Sequence, residues 1–187
     1  MSDAPPINPS LLQRLDALDR RVSAAIVVKP RADGAPRRWL VLLRRFSEAG
    51  SYGVGWVVLF GVVGVLSDGF ARGLVAAGCV VGTLMLNTLV KNVIRRPRPV
   101  AKAIDHAPST YSMPSAHTSM AMVGAATMQV IVPDLAVLWW VVAISLAASR
   151  VLLGMHYLAD VLAGVVFGLL VGLLVAAPLV ESISATW

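Results

Sequence analysis

The sequence predicts an all-α, polytopic membrane helix bundle of about five transmembrane helices, preceded by N-terminal amphipathic helices at the membrane interface. Three observations point there. Hydrophobic residues make up 57% of the 187-residue chain, more than a single soluble core of this size would cover. Apolar runs of roughly 16–22 residues begin near Ser51, Ala71, Ser119, Pro133 and Tyr157, against the ~20 residues a helix needs to cross hydrocarbon. After residue 70 the few charged residues gather at the ends of those runs.

The elements follow in order. The chain opens on polar and proline-rich residues, so disorder is expected up to about residue 10, with no cleavable signal peptide. The first span then serves as its own insertion signal. Leu11, Leu15, Leu18, Val22 and Ile26 recur at helical spacing among charged residues. They describe either a helix lying on the membrane surface or an amphipathic helix packed on the bundle. Pro and Gly between Lys29 and Gly34 break it, and the basic stretch RRWLVLLRRF at 37–46 forms a second interfacial segment. Residues 1–50 thus make a basic interfacial region and residues 51–187 a transmembrane domain. Pro133-Asp134 turns the third span into the fourth.

A long loop at about 93–114, carrying Arg95, Arg96, Pro97, Arg98, Pro99 and Lys102, follows the second span, which proline stops. Glycines at 164, 168 and 172, and again at 78 and 82, flatten helix faces. They are read first as close packing within the bundle and second as a seam for a homo-oligomer. Cys79, the sole cysteine, excludes an internal disulfide.

The chemistry lies at the span ends. The second span exits at Lys91, the third enters at His117, the fourth exits at Arg150 and the fifth enters at His156, which an up-down topology places on one membrane face. A snorkelling side chain accounts for one such residue. It does not account for two histidines and an acid. His156 and Asp160 are four residues apart, one helical turn, so the carboxylate can take the proton of one ring nitrogen and leave the other as a lone pair. Alone, that pair is more often a helix-surface hydrogen bond. Lys91, Arg98 and Arg150 add three cations, whose mutual repulsion an anion with several peripheral oxygens, such as a phosphoryl group, would offset. The N–H groups where Pro114-Ser115-Ala116 opens the third span, and the Ser115 hydroxyl, are expected to help bind it. His117 stands ready to protonate a leaving alkoxide.

Three segments carry a family resemblance: KNVIRRPRP at 91–99, PSAH at 114–117 and SRVLLGMHYLAD at 149–160. In order and spacing they resemble KxxxxxxRP, PSGH and SRxxxxxHxxxD, the signature of the type 2 phosphatidic acid phosphatase (PAP2) superfamily. The resemblance makes residues 51–187 a PAP2-type transmembrane phosphatase domain. It implies that Lys91, Arg98, Arg150, Ser115 and the Ala116 amide bind phosphoryl oxygens. It further implies that His156 attacks phosphorus, oriented by Asp160, and that His117 protonates the leaving group and then activates water. Neither metal nor cofactor is expected, since cations and helix N-termini supply the positive charge. Ala116 departs from the family's glycine; it keeps the amide and adds a methyl group. His106, Tyr111, Ser112, Met113, Asn87, Asn92 and the methionines 120, 122 and 128 are read as solvation, loop packing or core filling.

Six Lys or Arg lie in residues 29–45, while the turns near 67–72 and 134 hold one and none. The positive-inside rule then puts the N-terminus, and with it the site, on the cytoplasmic face of a bacterial plasma membrane. The substrate expected is a phosphate monoester or diphosphate of a polyprenyl-linked lipid, for example decaprenylphosphoryl-5-phosphoribose. A phosphatidate or phosphatidylglycerophosphate is the alternative, and nucleic acid is not an expected partner. A vanadate-dependent haloperoxidase would usually be soluble, and a non-catalytic anion-binding membrane protein would not need the His156–Asp160 spacing.

Overall fold

The computed structural model describes residues 10–28, 38–50, 53–67, 69–99 and 110–184. The expected disorder before residue 10, the break between Lys29 and Gly34, and Lys102 and His106 of the long loop fall outside them. The described residues are helical almost throughout. They form α1 (Leu11–Ile26), α2 (Arg38–Ala49), α3 (Val54–Leu66), α4 (Phe70–Ile94), α5 (Ala116–Ile131), α6 (Ala136–Leu152), α7 (Leu158–Val171) and α8 (Ala177–Ser184).

By length and hydropathy three helices can cross a membrane: Phe70–Ile94, Pro133–Leu152 and Leu158–Ile183; the bent pair α2 and α3 would make a fourth. The run near Ser119 becomes α5, only 16 residues long, or about 24 Å at 1.5 Å per residue. It is nonetheless the axis of the bundle. Residues from Thr118 to Met128 are all buried, and α3, α4, α6, α7 and α8 all pack on it. A helix walled in by other helices need not match the hydrocarbon thickness, because protein rather than lipid surrounds it. Met120, Met122 and Met128 fill this core as expected.

The helix ends follow from sequence. Ser10 caps α1 through a reciprocal pair with Gln13, Gln13 N–H to Ser10 Oγ at 3.3 Å and Ser10 N–H to Gln13 Oε1 at 2.8 Å. Pro97 and Pro99 follow α4, which ends at Ile94. One 3-10 turn, Pro133–Leu135, reverses the chain between α5 and α6. Pro178 has no N–H to give Leu174, and the helix widens just before it into a π turn over Gly172–Ala176.

The two glycine rows part company. A Cβ on Gly164 would lie 2.7 Å from the Ser115 carbonyl oxygen, and one on Gly168 would lie 2.5 Å from that of Ser119. That row is where α7 closes on α5. At Gly78 and Gly82 nothing lies within 4 Å of an added Cβ, so this face of α4 is open.

The N-terminal helix reverses the usual amphipathic arrangement. Its apolar row is outward, with Leu11, Leu15 and Leu18 more than half exposed. Its polar side faces the protein, and Val28 N–H donates to the Leu152 carbonyl at 3.0 Å, tying the end of α1 to the end of α6. The surface-helix reading therefore fits the apolar face, and packing on the bundle runs through the polar one.

Candidate active site

Lys91 in the last turn of α4, Ser115 and His117 at the start of α5, Arg150 in the last turn of α6 and Asp160 in the first turn of α7 meet at one end of the bundle. Lys91, Arg150, His156 and Asp160 are at most 6% exposed. Charges so deep in an apolar bundle persist only with partners.

The segment between α6 and α7 aims His156. Gly154 takes φ +68°, a left-handed turn that favours glycine. The chain then folds back until the Met155 and His156 N–H groups both donate to the Arg150 carbonyl, at 3.0 and 3.2 Å. The six-residue spacing from Arg150 to His156 is thus a closed turn that presents both side chains to one place. Arg150 Nη1 is also steadied from α2, donating to Ser47 Oγ at 2.6 Å.

The imidazole sits between a guanidinium and a carboxylate. Arg98 Nη1 lies 3.1 Å from Nε2, and Nδ1 lies 3.5 Å from Asp160 Oδ2. A guanidinium can only donate, so Nε2 is the lone-pair nitrogen and the ring proton sits on Nδ1, facing Asp160. That second contact is ion-pair proximity rather than a formed hydrogen bond, because Nδ1 finds no hydrogen-bond partner. Oδ2 is already held by the Tyr157 amide at 3.0 Å. Such contacts often tighten only when substrate arrives. Burial pushes the His156 pKa down to about 3, with Asp160 opposing and the Arg98, Arg150 and Lys91 charges adding to the fall. With that fall the ring is neutral near pH 7.

The two ends of the long loop are stitched together over the site. Lys91 Nζ donates to the Tyr111 carbonyl at 3.0 Å, Arg98 Nε to the Thr110 carbonyl at 2.7 Å, and Ser112 N–H to the Arg96 carbonyl at 2.8 Å. A cavity of about 340 Å³ opens beside them, lined by Lys91, Arg98, Ala116 and His117 at its polar end and by Leu84 and Met120 deeper in the bundle. Lys91, Arg98, Arg150 and His156 all act electrostatically on His117. Every residue expected at the site is therefore at this end of the molecule.

Two details differ from expectation. Pro114 lies just before the helix, whose cap is Ser115, not within its first turn. The Ser115 amide is not directed at the cavity either; it donates to the Asp160 carbonyl at 2.9 Å and locks α5 to α7. The Ser115 hydroxyl is fully buried and accepts from Thr118 Oγ1 at 3.1 Å.

Sequence reasoning passed over Arg96. Its Nη1 donates to Asp160 Oδ1 at 2.7 Å, and its Nη2 to Asp16 Oδ1 and Asp19 Oδ2, each at 2.7 Å. The only sequence signal was that Asp16, Asp19 and Ser23 share the polar face of α1. Asn87 also proves more than an ordinary span-end residue: it is wholly buried, with Nδ2 donating to Ser119 Oγ at 3.1 Å. Among the described residues no three His, Cys, Asp or Glu side chains gather as a metal-ligating group.

Residues 72–181 match the family model for the PAP2 superfamily. The chain is 34% identical, over 88% of its length and 84% of the relative's, to a decaprenylphosphoryl-5-phosphoribose phosphatase of Mycolicibacterium smegmatis. It is 34% identical to the protein of the same name from Mycobacterium tuberculosis, over 67% of this chain and 72% of that one. The fold superposes with a TM-score of 0.70 on a transmembrane PAP2-type phosphatidylglycerolphosphate phosphatase from Bacillus subtilis, at 24% identity, over 92% of this chain and 87% of that one.

Proposed function

The chain belongs to the PAP2 superfamily and is a membrane phosphatase, and we propose that it removes the phosphate monoester from a polyprenyl-linked sugar phosphate of the decaprenylphosphoryl-5-phosphoribose type. The observation that carries the chemistry is the buried, neutral imidazole of His156, its Nε2 lone pair turned to Arg98 and its Nδ1 proton to Asp160.

The phosphoryl group enters the cavity on Lys91, Arg98 and Arg150, with the Ser115 hydroxyl and the Ala116 amide on further oxygens. In binding it draws the Arg98 guanidinium from Nε2 and uncovers the lone pair. Nε2 forms a bond to phosphorus as the P–O bond to the lipid breaks, and His117 gives the departing alkoxide its proton. Asp160 stabilises the imidazolium character that develops. His117 then takes a proton from water, whose oxygen displaces His156 and releases inorganic phosphate. The cations stabilise charge on the transferring group, so no metal ion is needed.

The deeper, apolar part of the cavity, toward Leu84 and Met120, suits a lipid chain lying between α4 and α5. The polyprenyl assignment rests on the names of the 34%-identical relatives. The basic residues ahead of α3 support a cytoplasmic site in a bacterial plasma membrane. A second copy of the chain would meet the open Gly78–Gly82 face of α4. Residues 1–50 serve as an interfacial region and 51–187 as the phosphatase domain.

The test is phosphate release by detergent-purified protein in excess EDTA, over a panel of polyprenyl phosphosugar, polyprenyl diphosphate, phosphatidate and phosphatidylglycerophosphate, with His156→Ala as control. Fastest turnover of the phosphosugar is expected, with a loss of about 10⁴-fold or more in the variant. Preference for a glycerolipid would move the assignment to that class. Activity that needs a divalent ion, or that survives His156→Ala, overturns the mechanism. For the membrane side, a cysteine at position 105 in a Cys79→Ala background should resist labelling from outside intact cells.

A further inference from the structure

Asp160 is shared. Oδ2 faces His156, while Oδ1 accepts from Arg96, and what holds Arg96 is a helix outside the apolar bundle. Its guanidinium joins Asp160 to Asp16 and Asp19 of α1 and lies 4.4 Å over the Tyr157 ring. Burial works against the charge of Arg96, but hydrogen bonds to Asp19, Asp16 and Asp160 outweigh it and raise its pKa above the ordinary value.

The same face of α1 also holds the start of α7. Leu158 N–H donates to Ser23 Oγ at 2.8 Å and Ala159 N–H to Asp19 Oδ1 at 3.1 Å. These are two of the amides that a helix leaves without a partner in its first turn, and here another helix supplies the acceptors. Arg20 Nη1 adds a bond to the Tyr157 hydroxyl at 2.9 Å. The segment carrying His156 and Asp160 is thus gripped on one side by α1 and on the other by the Ser115 amide.

We infer that α1 is a positioning helix for the nucleophile: Asp16 and Asp19, acting through Arg96, set the orientation and charge of Asp160, while Asp19 and Ser23 fix the first turn of α7. The inference rests on the reading of His156 as the nucleophile. The physical reason is charge competition. Arg96 bound to Asp160 alone would draw the carboxylate's charge away from the imidazolium that forms at His156. With two further carboxylates on the same guanidinium, Asp160 keeps its charge for the ring. Without Arg96, Oδ1 would lose its anchor and only the Tyr157 amide on Oδ2 would hold the carboxylate against Nδ1.

The experiment uses the full chain in detergent and compares Asp19→Asn, Arg96→Gln and Arg96→Lys, each alone and in an Asp160→Asn background. The two charge-removing variants should lower kcat about 10- to 100-fold with KM and inorganic vanadate inhibition within about twofold. Arg96→Lys should recover only part of the loss, because one ammonium cannot span three carboxylates as a planar fork does. In the Asp160→Asn background the further loss from Arg96→Gln should be no more than about twofold, since its path runs through that carboxylate. Full kcat in Asp19→Asn and Arg96→Gln, or equal losses for Arg96→Gln in both backgrounds, overturns the inference. If Asp19→Asn does not fold by thermal unfolding, Asp16→Asn, which caps nothing, reads the Arg96 link together with the Arg20 pair on its other oxygen; Arg20→Gln subtracts the latter, and an unchanged kcat in Asp16→Asn is equally fatal. His156→Ala in the same preparations separates the two claims. Residual activity in it brings down the nucleophile, whereas a dead His156→Ala beside an unaffected Asp19→Asn brings down α1 alone.

Discussion

The two ends of the bundle are built from the same kind of apolar helix and differ in what their polar groups touch. At the turn end, polar side chains serve their own helix or its neighbour: Ser67 Oγ donates to the Val63 carbonyl, Trp139 Nε1 to the Val132 carbonyl and Trp140 Nε1 to Gln129 Oε1. Asp134 there is exposed. At the site end, Lys91, Arg96, Arg98, Arg150, His156 and Asp160 are drawn from four segments and mostly buried, with contacts that run between elements. Burying charge is costly, so its concentration at one end agrees with the proposal that an anion binds there and offsets the cost. The turn end shows what the fold needs without chemistry.

That contrast can be broken, and the largest effect should come from the carboxylate. Asp160→Asn should lower kcat about 10³- to 10⁴-fold, because a neutral amide cannot stabilise the imidazolium. Raising the pH should not restore it. The folded His156 pKa is already depressed to about 3, and loss of the one interaction that raises it lowers it further, so the ring stays neutral above pH 5. The ring ¹⁵N shifts of His156 should report the Nδ1–H tautomer from pH 8 to pH 5 in the unaltered protein; a titration centred near 6.5 would contradict the site electrostatics.

The next effect sharpens the contrast through packing. Gly168→Ala would drive a methyl group against the Ser119 backbone and should cost about 1–3 kcal/mol in thermal or denaturant unfolding. Gly78→Ala, on a face that is open within the chain, should cost the single chain nothing and gain up to about 1 kcal/mol from helix propensity. Equal behaviour of the two would mean that the α5–α7 contact is not where the bundle closes. The smallest effect belongs to the turn end, where Asp134→Asn and Arg72→Gln should change kcat/KM by less than about twofold.

Much of this was legible in the chain. The five apolar runs became α3, α4, α5, α6 and the α7–α8 span, because hydrophobicity over a window is a local property. The His156–Asp160 pair was legible for the same reason: four residues is one turn. The glycine rows were less so, since spacing cannot say which row meets another helix. Tertiary contact sent residues 164, 168 and 172 inward and left 78 and 82 open. Arg96 was hidden by its neighbours, one of five basic or proline residues in a row, and nothing local distinguished it from Arg95.

The sequence by itself determined the class of the molecule and the chemical inventory at its active end, because the first rests on residue type along continuous runs and the second on spacings shorter than two helical turns. Only the tertiary structure decided what restrains His156 and Asp160. Arg96 reaches Asp160 across 64 positions and Asp19 across 77, and Asp19 reaches Ala159 across 140. Hydrogen bonds at such separations leave no periodicity to read, for they exist only once the bundle has brought α1 over the start of α7.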